Sequence, residues 1–215
     1  MKNFDRTQPT QNVLVAVDVQ NDFIDGSLAV TEGEQVVQPI NDVAAAVRDT
    51  GGTVAFTRDW HPAETPHFAD YGGAWPVHCV AETKGAAFHP DLDVRDTDIV
   101  INKGMEQTDG YSGWEGVTDD GQTLETIIAP LSREEKVRVF VGGLATDYCV
   151  KATALDIAAR FKDDERVHLY LLRDAIRAVG LAPTDEEKAL AAMEEAKIQA
   201  ISADEARVMI ERTAQ

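Results

Sequence analysis

A cysteine lies at the point where an apolar segment of this chain gives way to a helical pattern. Cys149 stands in VGGLATDYCVKATALDIAARF, Val141–Phe161, which passes through two glycines before the helical spacing begins. With Thr146 as the N-cap, Cys149 occupies position N3, where unpaired backbone N–H groups and the helix dipole lower a thiol pKa. This position predicts a thiolate nucleophile. The alternative is that Cys149 is a small hydrophobe filling a corner of the core.

Two further reactive side chains follow predicted strands. Asp18 ends the apolar run NVLVAVD, and Lys103 ends DIVINK. An ammonium near the sulfur would favour the thiolate, and a carboxylate in reach could take the thiol proton and pass it to a leaving group. The amides at the turn, those of Ala145 and Cys149, could hold a developing oxyanion. Taken singly, Asp18 could equally be a turn or cap residue, and Lys103 a solvated lysine at a strand end.

A carboxylate and three histidines form a second candidate site. Asp59 and His61 have the i, i+2 spacing that puts both side chains on one side of an extended segment. His67 and His78 follow in the same irregular stretch and can fold back toward them. This set suits one divalent transition metal ion, with Zn²⁺ as the leading candidate and Fe²⁺ and Mn²⁺ also fitting. The alternative is a group of loop histidines that bond to backbone carbonyl groups.

The remaining cysteine and histidines lack such a context. Cys79 follows His78 and points the opposite way in an extended chain, which indicates a packing role. His89 and His168 have no comparable partners, and we interpret both as structural.

Strand-like and helix-like segments alternate along the chain. Apolar runs rich in β-branched residues predict the strands, and apolar residues at helical spacing predict the helices. The predicted strands are Asn12–Asp18, Thr53–Asp59, Asp98–Lys103, Val137–Gly143, Val167–Asp174 and Ile198–Ser202. The predicted helices are Gly33–Asp49, a segment around Thr123–Leu131, the segment from Cys149 to Phe161, one opened by a capping box of Thr184 and Glu187 and running to about Ala196, and a short final helix. The long stretch Trp60–His89 shows no convincing element, and loops of that length are usually functional.

This alternation predicts one α/β domain over residues 1–215, with a mainly parallel sheet, helices on both faces and a polar N-terminal extension over residues 1–12. In such sheets ligands bind outside the carboxyl ends of the strands. Asp18, Asp59, Lys103 and the loop before Cys149 each follow a strand of their own. The fold would therefore bring them to one edge, which favours a nucleophilic site over four unrelated strand ends.

Composition narrows the class of partner. The 215 residues carry a formal net charge of −18, with 44% hydrophobic and 27% charged residues, as in a soluble globular protein. The acidic surface argues against nucleic-acid and membrane binding, and it also fits a saline cytoplasm. The polar N-terminus has no apolar signal region, no run reaches the roughly 20 residues of a membrane span, and two cysteines fit a reducing compartment. We therefore expect a cytoplasmic protein with a small-molecule partner, and homo-oligomerisation stays open.

Six motifs occur together in one order along the chain. They are VDVQNDF (Val17–Phe23), RDWHPA (Arg58–Ala63), WPVHCV (Trp75–Val80), INKG (Ile101–Gly104), YSGW (Tyr111–Trp114) and GLATDYCVKATALD (Gly143–Asp156). The combination resembles nicotinamidases (pyrazinamidases), which belong to the isochorismatase-like cysteine hydrolase superfamily. The resemblance extends from Val13 to about Asp174, and its most specific parts are the cysteine segment and the D-W-H…H…H set.

The resemblance implies a three-layer α/β/α fold with a six-stranded, mainly parallel, Rossmann-like sheet. It implies a hydrolase of linear amides that converts nicotinamide to nicotinate and ammonia in NAD salvage and pyridine nucleotide biosynthesis, and that also acts on pyrazinamide. In the family, the metal accepts the pyridine nitrogen of the substrate. The family also has a cis peptide at the position of Leu144–Ala145.

The resemblance also assigns roles by motif position. Cys149 matches the nucleophile, Asp18 the proton carrier and Lys103 the third catalytic residue. The metal ligands match Asp59, His61, His67 and His78. The aromatic walls around the substrate ring match Phe23, Trp75 and Tyr111, and Tyr148 lies beside the nucleophile.

Two other functions stay open at this point. A metal-independent relative acting on isochorismate or an N-carbamoyl amide would not need the four metal ligands together. A degenerate metal-binding protein without activity would not need the three intact catalytic residues. The chain also departs from the family in two places, since FIDGSLAV (Phe23–Val30) is one glycine shorter and FKDDER (Phe161–Arg166) is longer and more charged. The first departure affects the pocket rim, and the second lies opposite the expected site.

Overall fold

The alternating segments fold into one parallel sheet, in a computed structural model that describes residues 10–130 and 132–212. Its strands are β1 Thr10–Val17, β2 Thr53–Asp59, β3 Ile99–Lys103, β4 Lys136–Leu144, β5 Val167–Arg177 and β6 Gln199–Ile201. Its α-helices are α1 Asn21–Ile24, α2 Val37–Asp49, α3 Leu124–Ile128, α4 Lys151–Arg160, α5 Asp185–Glu195 and α6 Ala203–Glu211.

The strand order places the reactive residues at a crevice. The sheet runs β3-β2-β1-β4-β5-β6, and every neighbouring pair is parallel. From β1 the chain adds β2 and β3 toward one edge of the sheet. It then crosses over and adds β4, β5 and β6 toward the other edge. Ligands bind at such a switch point, beyond the carboxyl ends of the strands. Asp18 follows β1, and the segment with Cys149 follows β4.

Both faces of the sheet are buried, which explains the continuous apolar runs. Along β1, Leu14 and Ala16 join the core on the side of α2 and α6, while Val13, Val15 and Val17 join the core on the side of α3, α4 and α5. A sheet covered on both faces needs apolar residues at successive positions rather than alternating ones. The predicted α/β class, with three layers and six parallel strands, is confirmed.

Several element boundaries differ from the sequence-based expectation. β1 begins at Thr10, so the last three residues of the predicted N-terminal extension are strand, and residues 1–9 lie outside the described residues. The helix expected from Gly33 is a 3₁₀ turn that becomes α2 only at Val37. α3 ends at Ile128, and Leu131 lies outside the described residues.

The prediction of a capping box at Thr184 is wrong. Thr184 has φ −103° and ψ 3°, and its side chain makes no capping hydrogen bond to α5. Asp185 instead accepts a hydrogen bond of 2.8 Å from the amide of Ala182. The capping boxes of the described residues open α3 at Thr123 and α6 at Ser202. Within the described ranges, no helix combines the length and apolar character that crossing a membrane requires.

Candidate active site and metal centre

Lys103 joins the carboxylates of two neighbouring strands. Its Nζ lies 2.8 Å from Asp18 Oδ2, 2.5 Å from Asp59 Oδ1 and 3.4 Å from Cys149 Sγ. All four residues are buried. The residues at the strand ends therefore lie together, as expected, and Lys103 is a buried cation rather than a solvated lysine.

The buried charges set the protonation states of this group. Burial opposes the charge of Lys103, but Asp18 and Asp59 outweigh it and raise the pKa of the ammonium well above its usual value. Burial raises the pKa of Asp18 to about 6, although Lys103 opposes the rise. Burial acts in the same direction on Asp59, yet Lys103 and His61 outweigh it there and hold the pKa of that carboxyl below its usual range. The group thus contains one firmly ionised carboxylate and one, Asp18, that titrates near neutral pH.

The structure corrects the expectation of a resting thiolate at Cys149. Burial raises the pKa of the Cys149 thiol well above its usual value, and the nearby charge of Lys103 offsets this only in part. The N-cap is Ala145 rather than Thr146, and Thr146–Val150 is a π-helical turn that leads into α4. Cys149 is therefore the fourth residue of the turn instead of N3. The raised pKa favours the neutral thiol, whose proton a base would have to remove.

Three imidazoles come together beside Asp59. One ring nitrogen of each of His61, His67 and His78 lies within 4.8 Å of the others, and all three rings are buried. Asp59 Oδ2 lies 3.6 Å from His61 Nε2 and 4.0 Å from His78 Nε2. Ligand atoms around a tetrahedral Zn²⁺ are about 3.4 Å apart, given bonds of about 2.1 Å. The two distances from Asp59 Oδ2 to the histidine nitrogens are close to that spacing.

The other nitrogens of the histidines are held by oxygen acceptors. His61 Nδ1 lies 2.8 Å from the Gly104 carbonyl oxygen, His78 Nδ1 lies 2.7 Å from the Pro76 carbonyl oxygen, and His67 Nδ1 lies 2.8 Å from Asp109 Oδ1. These acceptors place the proton on Nδ1 and leave the Nε2 lone pairs free to bind a metal. His61 Nε2 is buried without any hydrogen-bond partner. Backbone carbonyl groups therefore bind one nitrogen of the His61 ring and one of the His78 ring, as in the alternative interpretation, but the second nitrogen of each ring stays available. The residues fit a divalent ion.

A small cavity opens onto both the sulfur and the histidines. Its lining residues are Phe23, Leu28, Asp59, His67, Trp75, His78, Tyr111, Ala145, Tyr148, Cys149 and Val179. Trp75 Nε1 donates a 2.9 Å hydrogen bond to the Tyr111 hydroxyl, and the Trp75 and Tyr148 rings meet edge to face with centroids 4.8 Å apart. The structure thus brings together the four aromatic residues that the resemblance implies. Ala145 and Cys149, whose amides are the candidates for binding the oxyanion, line the same cavity. The Leu144–Ala145 peptide is cis, in line with the resemblance.

Sequence reasoning missed several residues that hold this site together. Gln20 is buried; its Oε1 accepts from the Asp59 amide at 2.8 Å, and its Nε2 donates to the carbonyl oxygens of Asp59 and Ala86, both at 2.8 Å. Asp147 accepts from the amides of Val179 and Gly180, both at 2.9 Å, and so fixes one wall of the cavity. Their positions inside the motifs VDVQNDF and GLATDYC were the available signals.

The remaining cysteine and histidines lie apart from the cavity lining. Cys79 is buried, and its amide donates a 2.7 Å hydrogen bond to Asp22, which fits the expected packing role. His89 does have neighbours, contrary to expectation, because ligand atoms of His89, Glu34 and Asp91 lie within 4.8 Å of one another near the surface. His168 lies on β5.

The sequence profile of the isochorismatase domain matches residues 12–205. The chain belongs to the isochorismatase family.

Individual members of the isochorismatase family match most of this chain. A nicotinamidase/pyrazinamidase of Mycobacterium tuberculosis is 44% identical over 147 residues, which are 66% of this chain and 76% of that protein. A nicotinamidase of Escherichia coli is 33% identical over 199 residues, which are 84% of this chain and 89% of that protein. The crystal structure of a pyrazinamidase of Pyrococcus horikoshii in complex with zinc has a TM-score of 0.76 and 37% identity, covering 89% of this chain and 99% of that one.

Proposed function

We propose that this chain is a nicotinamidase that hydrolyses nicotinamide to nicotinate and ammonia through a thioester at Cys149, and that it also hydrolyses pyrazinamide. The observation that carries the proposal is the position of Cys149 Sγ, 3.4 Å from Lys103 Nζ in a cavity with aromatic walls beside three histidines. The nicotinamidase and pyrazinamidase names of relatives at 44% and 33% identity support the choice of substrate.

Substrate binding follows from the shape and lining of the cavity. The aromatic side chains that line the cavity, with polar groups at both ends, suit a planar ring that carries a polar substituent. Phe23, Trp75, Tyr111 and Tyr148 would contact the ring faces and edges, while the carboxamide points toward Cys149. Holding the two reactants in this orientation can remove roughly 7–11 kcal/mol from the barrier, which matters because an amide is a poor electrophile.

The first half-reaction begins with proton transfer. Asp18 takes the thiol proton of Cys149 as the sulfur attacks the carboxamide carbon, and Lys103 stabilises the negative charge that develops on the sulfur. A C–S bond forms, and the carbonyl electron pair moves onto the oxygen, where the amides of Ala145 and Cys149 would receive it. When the C–N bond breaks, Asp18 gives its proton to the departing nitrogen and ammonia leaves.

The second half-reaction uses the same residues in reverse. Asp18, again ionised, takes a proton from water as the water oxygen attacks the thioester carbon. The C–S bond then breaks, the proton returns from Asp18 to the sulfur, and the acid product is released. A pKa of about 6 suits this double task, because Asp18 is ionised near neutral pH but still accepts a proton readily.

A divalent ion would be held by Asp59, His61, His67 and His78. When bound, it supplies a Lewis acid that fixes the ring by its nitrogen. We propose zinc, which the zinc complex of the Pyrococcus horikoshii pyrazinamidase supports. Asp59 has one oxygen toward Lys103 and the other toward the histidines, so this residue would connect the ion to the catalytic group.

We also propose a cytoplasmic location and a role in NAD salvage. Both cysteines are free, as expected in a reducing compartment. The salvage role rests on the proposed substrate, whose hydrolysis yields a pyridine carboxylic acid.

Ammonia release from three substrates tests the proposal. We expect turnover of nicotinamide and pyrazinamide but not of an N-carbamoyl compound, and we expect Cys149→Ala to abolish release while nicotinamide still binds. The Cys79→Ala variant is the matched control, because Cys79 lies outside the cavity lining and should keep its activity. Preference for the N-carbamoyl substrate, or full activity after chelation, would instead support the metal-independent alternative. No turnover of any substrate would support the degenerate binding protein.

A further inference from the structure

One loop supplies hydrogen-bond acceptors to both the histidine cluster and the Lys103 group. We call this segment, Gly104–Tyr111, the acceptor loop; it directly follows β3. Four of its groups accept hydrogen bonds: the Gly104 carbonyl oxygen from His61 Nδ1 (2.8 Å), Asp109 Oδ1 from His67 Nδ1 (2.8 Å), the Gly110 carbonyl oxygen from Lys103 Nζ (3.2 Å) and the Tyr111 hydroxyl from Trp75 Nε1 (2.9 Å). Among these four contacts, Asp109 makes the one in which the loop itself contributes a charged side chain.

The partner of His67 differs from those of the other two histidines. His61 and His78 direct Nδ1 to backbone carbonyl oxygens, whereas His67 directs it to a carboxylate. Hydrogen bonds to an ionised acceptor are stronger than those between neutral groups. The His67 side chain is 2% exposed and that of Asp109 is 59% exposed. Asp109 therefore lies on the solvent side of a buried ring, opposite the nitrogen that faces the cluster.

Two glycines hold the acceptor loop in this position. Gly104 has φ +66°, and a Cβ there would lie 2.5 Å from His61 Cε1. Gly110 has φ +62°, and a Cβ there would lie 2.5 Å from Gly104 Cα. The ends of the loop can approach this closely only because neither residue carries a side chain. This close approach fixes the residue before Gly110, which is Asp109.

We propose that Asp109 is a positioning residue of the metal centre, whose carboxylate holds the buried His67 ring with Nδ1 protonated and Nε2 directed at the ion. The inference rests on the proposed metal site and adds a residue to it. A carboxylate accepts hydrogen bonds but does not donate them, so it selects this tautomer. Outer partners of this kind change metal affinity by about 10–100-fold when they are removed.

Competition titrations with Zn²⁺ alone test the inference. The full-length, metal-free protein is titrated against a chelator of known zinc affinity. We expect Asp109→Ala to raise the zinc Kd by about 10–100-fold and Asp109→Asn to raise it less, because an amide oxygen still accepts a hydrogen bond. Glu106→Ala is the matched control, since Glu106 is an exposed carboxylate of the same loop and its removal changes the charge equally. Its zinc Kd should stay within about twofold of the wild-type value.

Nitrogen NMR of the metal-free protein provides a second readout. The His67 ring should show protonated Nδ1 in the wild type and a mixture of tautomers in Asp109→Ala, with an unchanged thermal unfolding midpoint. Should Asp109→Ala fail to fold, Asp109→Asn, which has nearly the same shape, decides instead: its zinc Kd should exceed the wild-type value, and that of Glu106→Ala should not.

Three results would overturn the inference: wild-type zinc affinity in Asp109→Ala, an equal loss in Glu106→Ala, or a wild-type protein that binds no zinc. Zinc binding that weakens in Asp109→Ala, in a protein that releases no ammonia from nicotinamide, would support the inference and contradict the proposed function.

Discussion

The two halves of the candidate site are built in different ways. Asp18 directly follows β1, and Asp59 and Lys103 are the last residues of β2 and β3, so the hydrogen bonds of the sheet fix their backbones. The histidines and the acceptor loop instead belong to irregular segments, and side-chain contacts across the chain hold them in place. Asp18 and Lys103 thus lie on the rigid half together with Asp59, which both halves share, while the three histidines lie on the more adaptable half.

Gln20 connects the two halves. It follows β1, and it bonds to the backbone of Asp59 at the end of β2 and to Ala86 in the long loop. The loop that carries His78 is therefore fastened to the strand end that carries Asp59. Substitutions in the strand-end group, at Gln20 and at one contact of Asp18 test this difference between the two halves.

The largest effect should come from removing the buried cation. Lys103→Met leaves Asp18 and Asp59 buried and uncompensated, which should lower the free energy of unfolding by about 3–5 kcal/mol. Activity should fall by on the order of 10²–10³-fold or more, because the developing charge on sulfur loses its partner. Chemical denaturation of the zinc-free protein and ammonia release measure the two effects. Lys162→Met, at an exposed lysine far from the strand ends, is the control and should behave like the wild type. A stable and active Lys103→Met would contradict the strand-end half of the comparison.

An intermediate effect should come from the connection. Gln20→Ala leaves the Asp59 amide and the Ala86 carbonyl without partners, which should cost about 2–3 kcal/mol of unfolding free energy. Misplacement of Asp59 should also weaken zinc binding and lower kcat by roughly tenfold. Denaturation, zinc competition and steady-state kinetics measure these changes. Gln38→Ala, an exposed glutamine on α2 that bonds to Asp42, should change none of them. Equal behaviour of the two variants would mean that Gln20 does not connect the halves.

The smallest effect should be a shift in the pH profile. Asp18 must be ionised to take the thiol proton, and burial raises its pKa to about 6, so kcat/KM should fall as the pH drops below about 6. Thr57 Oγ1 donates a 2.6 Å hydrogen bond to Asp18 Oδ1, which lowers this pKa by favouring the charged form. Thr57→Val should therefore move the acid limb to higher pH. An acid limb that stays in place, or moves to lower pH, would contradict the assignment of Asp18 as the base.

The sequence predicted the rigid half better than the adaptable half. Apolar runs and helical spacing located all six strands, and the rule for strand ends placed Asp18, Asp59 and Lys103 together, because strand geometry depends on local pattern. The hydrogen-bond partners within the site lie far apart along the sequence. The contacts of Gln20 with Asp59, of Asp109 with His67 and of Asp147 with Val179 each join residues more than thirty positions apart. No local pattern encodes such pairings.

The state of the sulfur was the clearest failure of prediction. The position of Cys149 at a helix start indicated a lowered thiol pKa, but the depth of its burial cannot be read from neighbouring residues. In the fold, loss of solvation outweighs the effect of Lys103 and raises the pKa. The capping box at Thr184 and the N-cap at Thr146 were also misjudged, because backbone torsions as well as residue type decide how a helix is capped.

Acid quenching of the enzyme during turnover of nicotinamide, followed by peptide mass spectrometry, tests the central claim most directly. We expect a nicotinoyl thioester on the peptide that contains Cys149 and none on the peptide that contains Cys79. Ammonia release without any acylated Cys149, or acylation of Cys79 instead, would contradict it.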